Sequence, residues 1–140
     1  MPARPLVYFI CGGNACRSQM AEGFARQLGG GRWSAASGGL AASAVDPRAV
    51  AVMSEVGVDI STHQSKTIDP ELLARADVVV TLCGEADEAC PALSATTRRL
   101  HWPLADPARV SGGREDQLSV FRLVRDQIRS RVQALVSAQP

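Results

Sequence analysis

The sequence predicts a three-layer α/β fold, a central parallel four-stranded sheet with helices on both faces. Three observations carry that prediction. The apolar run Leu6-Val7-Tyr8-Phe9-Ile10 leads straight into a glycine-bearing loop, Cys11-Gly12-Gly13-Asn14-Ala15-Cys16-Arg17-Ser18, and a helical pattern leaves it near Gln19. A second run, Asp77-Val78-Val79-Val80-Thr81-Leu82-Cys83, is β-branched and nearly all apolar, as a strand covered on both faces is. Strand-like and helical stretches alternate along the chain, which implies parallel strands joined by helical crossovers and a site at the strands' carboxyl ends.

Each element has its own local reason. After the first loop, Met20, Phe24 and Leu28 recur at helical spacing until Gly29-Gly30-Gly31 stops the helix. Trp33 to Ser37 is a weaker strand ending at Gly38-Gly39. Asp46-Pro47 places an acceptor at an N-cap and proline at the first helical position, with Val50, Met53 and Val56 (or Val52) facing inward and Gly57 as the stop. Val58 to Ser61 is an extended link. Asp69-Pro70 opens a short helix with Leu72 and Leu73 inside. Gly84 to Cys90 forms a helical turn bounded by Pro91, and Arg98 to Trp102 is the last strand. Past the Ser111-Gly112-Gly113 loop, Leu118, Phe121, Val124, Ile128, Val132 and Leu135 form one apolar stripe, with arginines on the other side.

The 140 residues suit a single domain, 1–140, and their 46% apolar and 21% charged content is ordinary for a globular protein. A net charge of +1 gives bulk electrostatics no reason to recruit nucleic acid or a membrane. With no signal-like or spanning segment, the expected location is the cytoplasm, and the expected state a monomer. A cytosolic chain keeps its four cysteines reduced, which argues against a structural disulfide framework. Zinc is a poor alternative, because neither Cys11/Cys16 nor Cys83/Cys90 has knuckle spacing; the expectation is no metal site.

The first loop carries chemistry. Its amides at Gly12, Gly13, Asn14, Ala15, Cys16 and Arg17, with the helix N-terminus behind them, direct positive partial charge at one spot and should hold a tetrahedral oxyanion. Arg17 adds a forked cation suited to bidentate oxyanion contacts. The same groups favour Cys11 as a thiolate, the nucleophilic form. Cys11, Cys83 and the Asp106 loop each follow a strand, so all three should emerge at one edge of the sheet. Inert packing explains Cys16 well, and could explain Cys83 and Cys90. Asp106 before Pro107 could simply start a turn. His63 and His101 have no motif that gives them a chemical task.

The loop from Cys11 to Ser18, with Asp106-Pro107, is similar to the low-molecular-weight protein tyrosine phosphatases. The stretch Tyr8-Phe9-Ile10-Cys11 through Arg17-Ser18-Gln19-Met20-Ala21-Glu22-Gly23, with Val79-Val80-Thr81-Leu82-Cys83, Cys90-Pro91 and His101-Trp102, more specifically resembles the thioredoxin-coupled arsenate reductases built on that fold. The resemblance implies arsenate as substrate and thioredoxin as electron source, with no resident cofactor. It implies that Cys11 attacks arsenic, that Arg17 and the loop amides hold the oxygens, and that Asp106 is the general acid. Ser18 would hydrogen-bond Cys11, and Asn14 would pin the loop from beneath. Cys83 would then attack Cys11, expelling arsenite, and Cys90 would move the disulfide to Cys83–Cys90 for reduction.

The spacing of that last pair is informative in itself. Seven helical residues separate Cα atoms by roughly 10 Å, whereas a disulfide tolerates about 7 Å at most. Oxidation should therefore unwind residues 84–90. Two departures from the resemblance stand out. Ala108-Arg109 follow Asp106-Pro107 where phosphatases carry aromatic residues, which suits a small inorganic anion better than phosphotyrosine. Some relatives hold potassium beside the loop; Asn14, Glu22 and Ser37 match its ligands, but Lys66 stands where a carboxylate is expected, and its ammonium could contact Glu22 and Asn14 instead. The competing readings are a phosphatase hydrolysing phosphate esters, which needs neither Cys83 nor Cys90, and a non-catalytic thiol sensor or metal-binding regulator, which leaves Arg17 and Ser18 without purpose.

Overall fold

The computed structural model describes residues 4–90 and 93–138. In chain order its elements are β1 (Leu6–Cys11), α1 (Arg17–Gly29), β2 (Ser34–Gly39), α2 (Pro47–Glu55), α3 (Pro70–Arg75), β3 (Val78–Thr81), α4 (Gly84–Ala89), β4 (Arg98–His101) and α5 (Arg114–Ser137). The strands form one parallel sheet in the order β2-β1-β3-β4. The chain reverses its direction of winding between β1 and β3, the topological switch point where open α/β sheets bind ligands.

The alternation of side chains along β1 divides the interior into two layers. Val7, Phe9 and Cys11 point to the face covered by α1, α2 and α5, where Phe24, Met53, Phe121 and Ile128 are fully buried. Tyr8 and Ile10 point to the opposite face, with Val79, Leu73 of α3 and Ala86 of α4. Each such fully buried Phe or Ile contributes ~1.5–3 kcal/mol relative to exposure. The expected three-layer architecture is therefore present, with its larger core on the α1/α5 side.

Local expectations hold in kind and move in detail. Helix α1 begins at Arg17 rather than near Gln19, because its first turn is turned toward the loop and the apolar repeat starts only at Met20. Asp46 and Asp69 cap α2 and α3 as expected, accepting from the amides of Arg48 and Glu71. The inner face of α2 is Ala49, Val52 and Met53; Val50 and Val56 are only half-buried. In α3, Leu73 is buried and Leu72 partly so. The whole stripe on α5 is buried, but the arginines are not all on its far side: Arg125 is buried, donating to Val52 O at 2.9 Å and Glu55 Oε1 at 2.8 Å. That guanidinium satisfies carbonyl and carboxylate groups at the end of α2. Pro91, expected to bound α4, lies outside the described residues.

Candidate active site

Strand β1 delivers Cys11, 3% exposed, to the floor of a cleft of about 170 Å³ lined by Gly13, Ala15, Cys16, Arg17, Asp46, Asp106 and Ala108. That volume lies below the ~300–1,000 Å³ of pockets that enclose drug-sized ligands, and suits a small anion. A larger cavity of about 1030 Å³ lies at the other end of the sheet, among Arg4, Leu6, Ser34, Leu72 and Arg75, with no cysteine among the described residues that line it. Among the described residues, the backbone N–H groups from Gly12 to Arg17 donate to no protein acceptor. They are the free donors an oxyanion requires.

The loop is held by Asn14, which is fully buried and has φ +50°. Its Nδ2 donates to Ser18 Oγ at 2.8 Å and to Ser37 Oγ at 3.0 Å. Its Oδ1 accepts from Gln19 Nε2 and from the Lys66 amide, both at 2.9 Å. Because Ser18 Oγ accepts from Asn14, its own hydrogen is free to point at Cys11 Sγ, 2.9 Å away. The relay Asn14 to Ser18 to Cys11 thus leaves a hydroxyl hydrogen free to point at the sulfur. Asn14 thereby ties the loop to α1, to β2 and to the backbone of Lys66.

Close approach by β2 completes the loop's support. A Cβ on Gly39 would lie 2.8 Å from Asn14 N and Ala41 O and 2.9 Å from Gly12 O, all backbone atoms that cannot swing aside. Gly39→Ala is expected to destabilise the fold by ~1–3 kcal/mol and to weaken phosphate binding at the loop; thermal unfolding and phosphate titration check both.

Arg17 ties the three loops together. Its Nη1 donates to Leu82 O at 3.2 Å and Leu104 O at 2.9 Å, and its Nη2 lies 3.8 Å from Asp106 Oδ2. The loops after β1, β3 and β4 therefore meet at one edge of the sheet. Asp106 accepts from the Ala108 amide through Oδ1 at 3.0 Å, leaving Oδ2 facing Arg17 and Arg109 at the cleft. Cys16 is different. Its Sγ donates toward Asp46 Oδ2 at 3.7 Å, and burial together with the Asp46 and Asp106 carboxylates pushes its thiol far above the ordinary range. Cys16 is buried in the α1/α5 core, and its amide is one of the free donors of the loop.

Cys83 and Cys90 bracket α4. Cys83 is its N-cap, with Sγ accepting from Ala86 N at 3.3 Å, and Cys90 is its C-cap. Both are partly exposed, and burial pushes the Cys90 thiol up. Cys83 packs against both layers of the core, including the one that holds Cys11.

Sequence reasoning passed over several supporting residues. Gln19 is fully buried and joins Asn14 to Gln64 O and to His63 Nδ1, so His63 braces the loop at one remove. Burial lowers the His63 pKa. Thr81, Asp87, Arg99 and His101 form a polar cluster beneath α4. The one available signal was Gln19 itself, a polar residue immediately before the apolar repeat that starts at Met20.

The model of the family described as low molecular weight phosphotyrosine protein phosphatase matches residues 6–139. The chain belongs to that family. Within it, the phosphatase-family chain is similar to an arsenate reductase of Halalkalibacterium halodurans, at 49% identity over 129 residues covering 92% of this chain and 93% of the relative. A solved arsenate reductase in a phosphate-binding state superposes with a TM-score of 0.79 at 42% identity, covering 95% and 97% of the two chains. A Corynebacterium glutamicum thioredoxin-dependent arsenate reductase superposes at 0.74 and 28% identity, covering 97% of this chain and 64% of that one.

Proposed function

We propose that this phosphatase-fold chain reduces arsenate to arsenite, with electrons supplied by thioredoxin. The single observation that carries the reading is the β1–β3 register. Ile10 pairs with Thr81 and the Leu82 amide extends the ladder to Ile10 O at 2.9 Å. Strand spacing then puts the Cα atoms of Cys11 and Cys83 roughly 6 Å apart; Leu82 is level with Cys11, so the Cys83 side chain starts on the other face, and the turn after β3 must rearrange for the two sulfurs to join. A hydrolase has no need for a second sulfur there.

Arsenate binds to the free amides and Arg17. Cys11 attacks arsenic, forming the S–As bond, while one arsenate oxygen leaves as water with a proton from Asp106. Cys83 attacks Cys11 Sγ; the S–As electron pair passes to arsenic, arsenite departs, and a Cys11–Cys83 disulfide remains. Cys90 then attacks Cys83 Sγ, forms Cys83–Cys90 and releases Cys11 as thiolate. A dithiol reductant restores both thiols. Arsenate-dependent NADPH oxidation with thioredoxin and its reductase is the direct test, with glutaredoxin and glutathione as the alternative donor. Consumption with neither couple rejects the reading.

No potassium is assigned to the site, because its donor set is closed. Ser37 Oγ donates to Glu22, Arg26 reaches Glu22 at 2.7 Å, and Lys66 Nζ lies 3.9 Å from Glu22 Oε1. Lys66 touches Asn14 through its backbone amide rather than its ammonium. Turnover and thermal stability should be the same in potassium and sodium chloride at equal ionic strength; a strong rise with potassium rejects this assignment. Among the described residues no three His, Cys, Asp or Glu side chains gather as a metal set. Nor is any helix there long and apolar enough to cross a membrane. The only large apolar side chains left exposed among them are Leu40 and Leu123, which supports a monomer.

A further inference from the structure

We propose that Asp87 is a positioning residue that latches α4 in its helical form and so sets the redox balance of the Cys83–Cys90 pair. This rests on the disulfide relay proposed above. Helix α4 is only six residues long, too short to be stable alone, with one buried side chain, Ala86. What ties it to the sheet is Asp87. Thr81 Oγ1 donates to Asp87 Oδ1 at 3.0 Å, and Arg99 Nη2 donates to the same oxygen at 3.1 Å and to the Asp87 carbonyl. His101 Nδ1 lies 2.9 Å from Thr81 Oγ1 and fixes that hydroxyl from the other side. The Arg99 guanidinium and the Thr81 hydroxyl hold the Asp87 carboxyl below the usual carboxylate range.

The latch and the disulfide exclude each other. Asp87 N donates to Cys83 O at 3.0 Å, so Asp87 sits in the very turn that must open before the two sulfurs can meet. Contacts made only by the reduced, helical form stabilise the dithiol. They make the disulfide easier to reduce, and their loss makes it easier to form. Arg99 contributes from β4, outside the redox segment, so the balance can be changed without altering the helix itself.

The test is the equilibrium between the Cys83–Cys90 dithiol and disulfide in the full chain, titrated against a glutathione buffer and mapped by alkylation and mass. Arg99→Gln leaves the helix sequence intact. Asp87→Ala replaces the latch with a better helix former, so a shift toward disulfide there cannot come from helix propensity. Both should move the constant toward the disulfide by about tenfold, which is about 30 mV for a two-electron couple. Glu88→Gln removes one negative charge from an exposed position on the same helix and should leave the constant unchanged. Unchanged constants in both latch variants, or an equal shift in Glu88→Gln, overturn the latch. Absence of any Cys83–Cys90 disulfide in the parent chain overturns the relay and the latch together.

Discussion

Cys83→Ser is expected to abolish multiple-turnover arsenate reduction while leaving slow hydrolysis of p-nitrophenyl phosphate by Cys11 intact. The serine hydroxyl can cap α4 as the thiol does, by accepting from Ala86 N, so the fold loses little. What it cannot do is displace arsenic from Cys11 and form a sulfur–sulfur bond. Cys90→Ser should fail one step later. Each molecule then converts a single equivalent of arsenate and stops as a Cys11–Cys83 disulfide, visible by mass after alkylation of the remaining thiols. A plain phosphatase would show neither behaviour: both variants would match the parent on every substrate. A variant of Cys90 that keeps turning over arsenate with thioredoxin would remove Cys90 from the relay.

The sequence made the site legible where the determinants are local. The run into Cys11, the free amides of the following loop and the apolar stripe of α5 depend only on residues a few positions apart, and all stand as expected. Asp106 is a different case: its side chain also starts a turn by bonding the Ala108 amide, so residue type alone could not separate the two roles. The strand order, the approach of Gly39 to the backbone of residues 12–14 and the burial of Arg125 against α2 join residues 20 to 73 positions apart. Periodicity carries no information about such pairs. The latch on α4 was hidden for the same reason. Asp87 looks like an ordinary helical acid until β4 places Arg99 beside it.

Arg17→Lys should lower kcat/KM for arsenate by ~10²–10³, the cost of losing one oriented donor to a reacting oxyanion, even though the charge is kept. The guanidinium divides its work: Nη1 spans two carbonyls, Leu82 O and Leu104 O, while Nη2 faces the cleft. A lysine ammonium is a single point and cannot bridge those carbonyls and an oxyanion together. The loss should therefore fall on both sides of the rate law. KM and the dissociation constant for phosphate rise because the loops that follow β1, β3 and β4 are no longer joined, and kcat falls because the developing charge is less well met. Asp106→Asn separates the two effects. It should cut kcat by ~10²–10⁴, the range of general acid catalysis, while phosphate binds no more weakly, since removing a carboxylate 3.8 Å from Arg17 lessens repulsion of the anion. If both variants lost phosphate affinity equally, Asp106 would be holding Arg17 in place rather than delivering a proton.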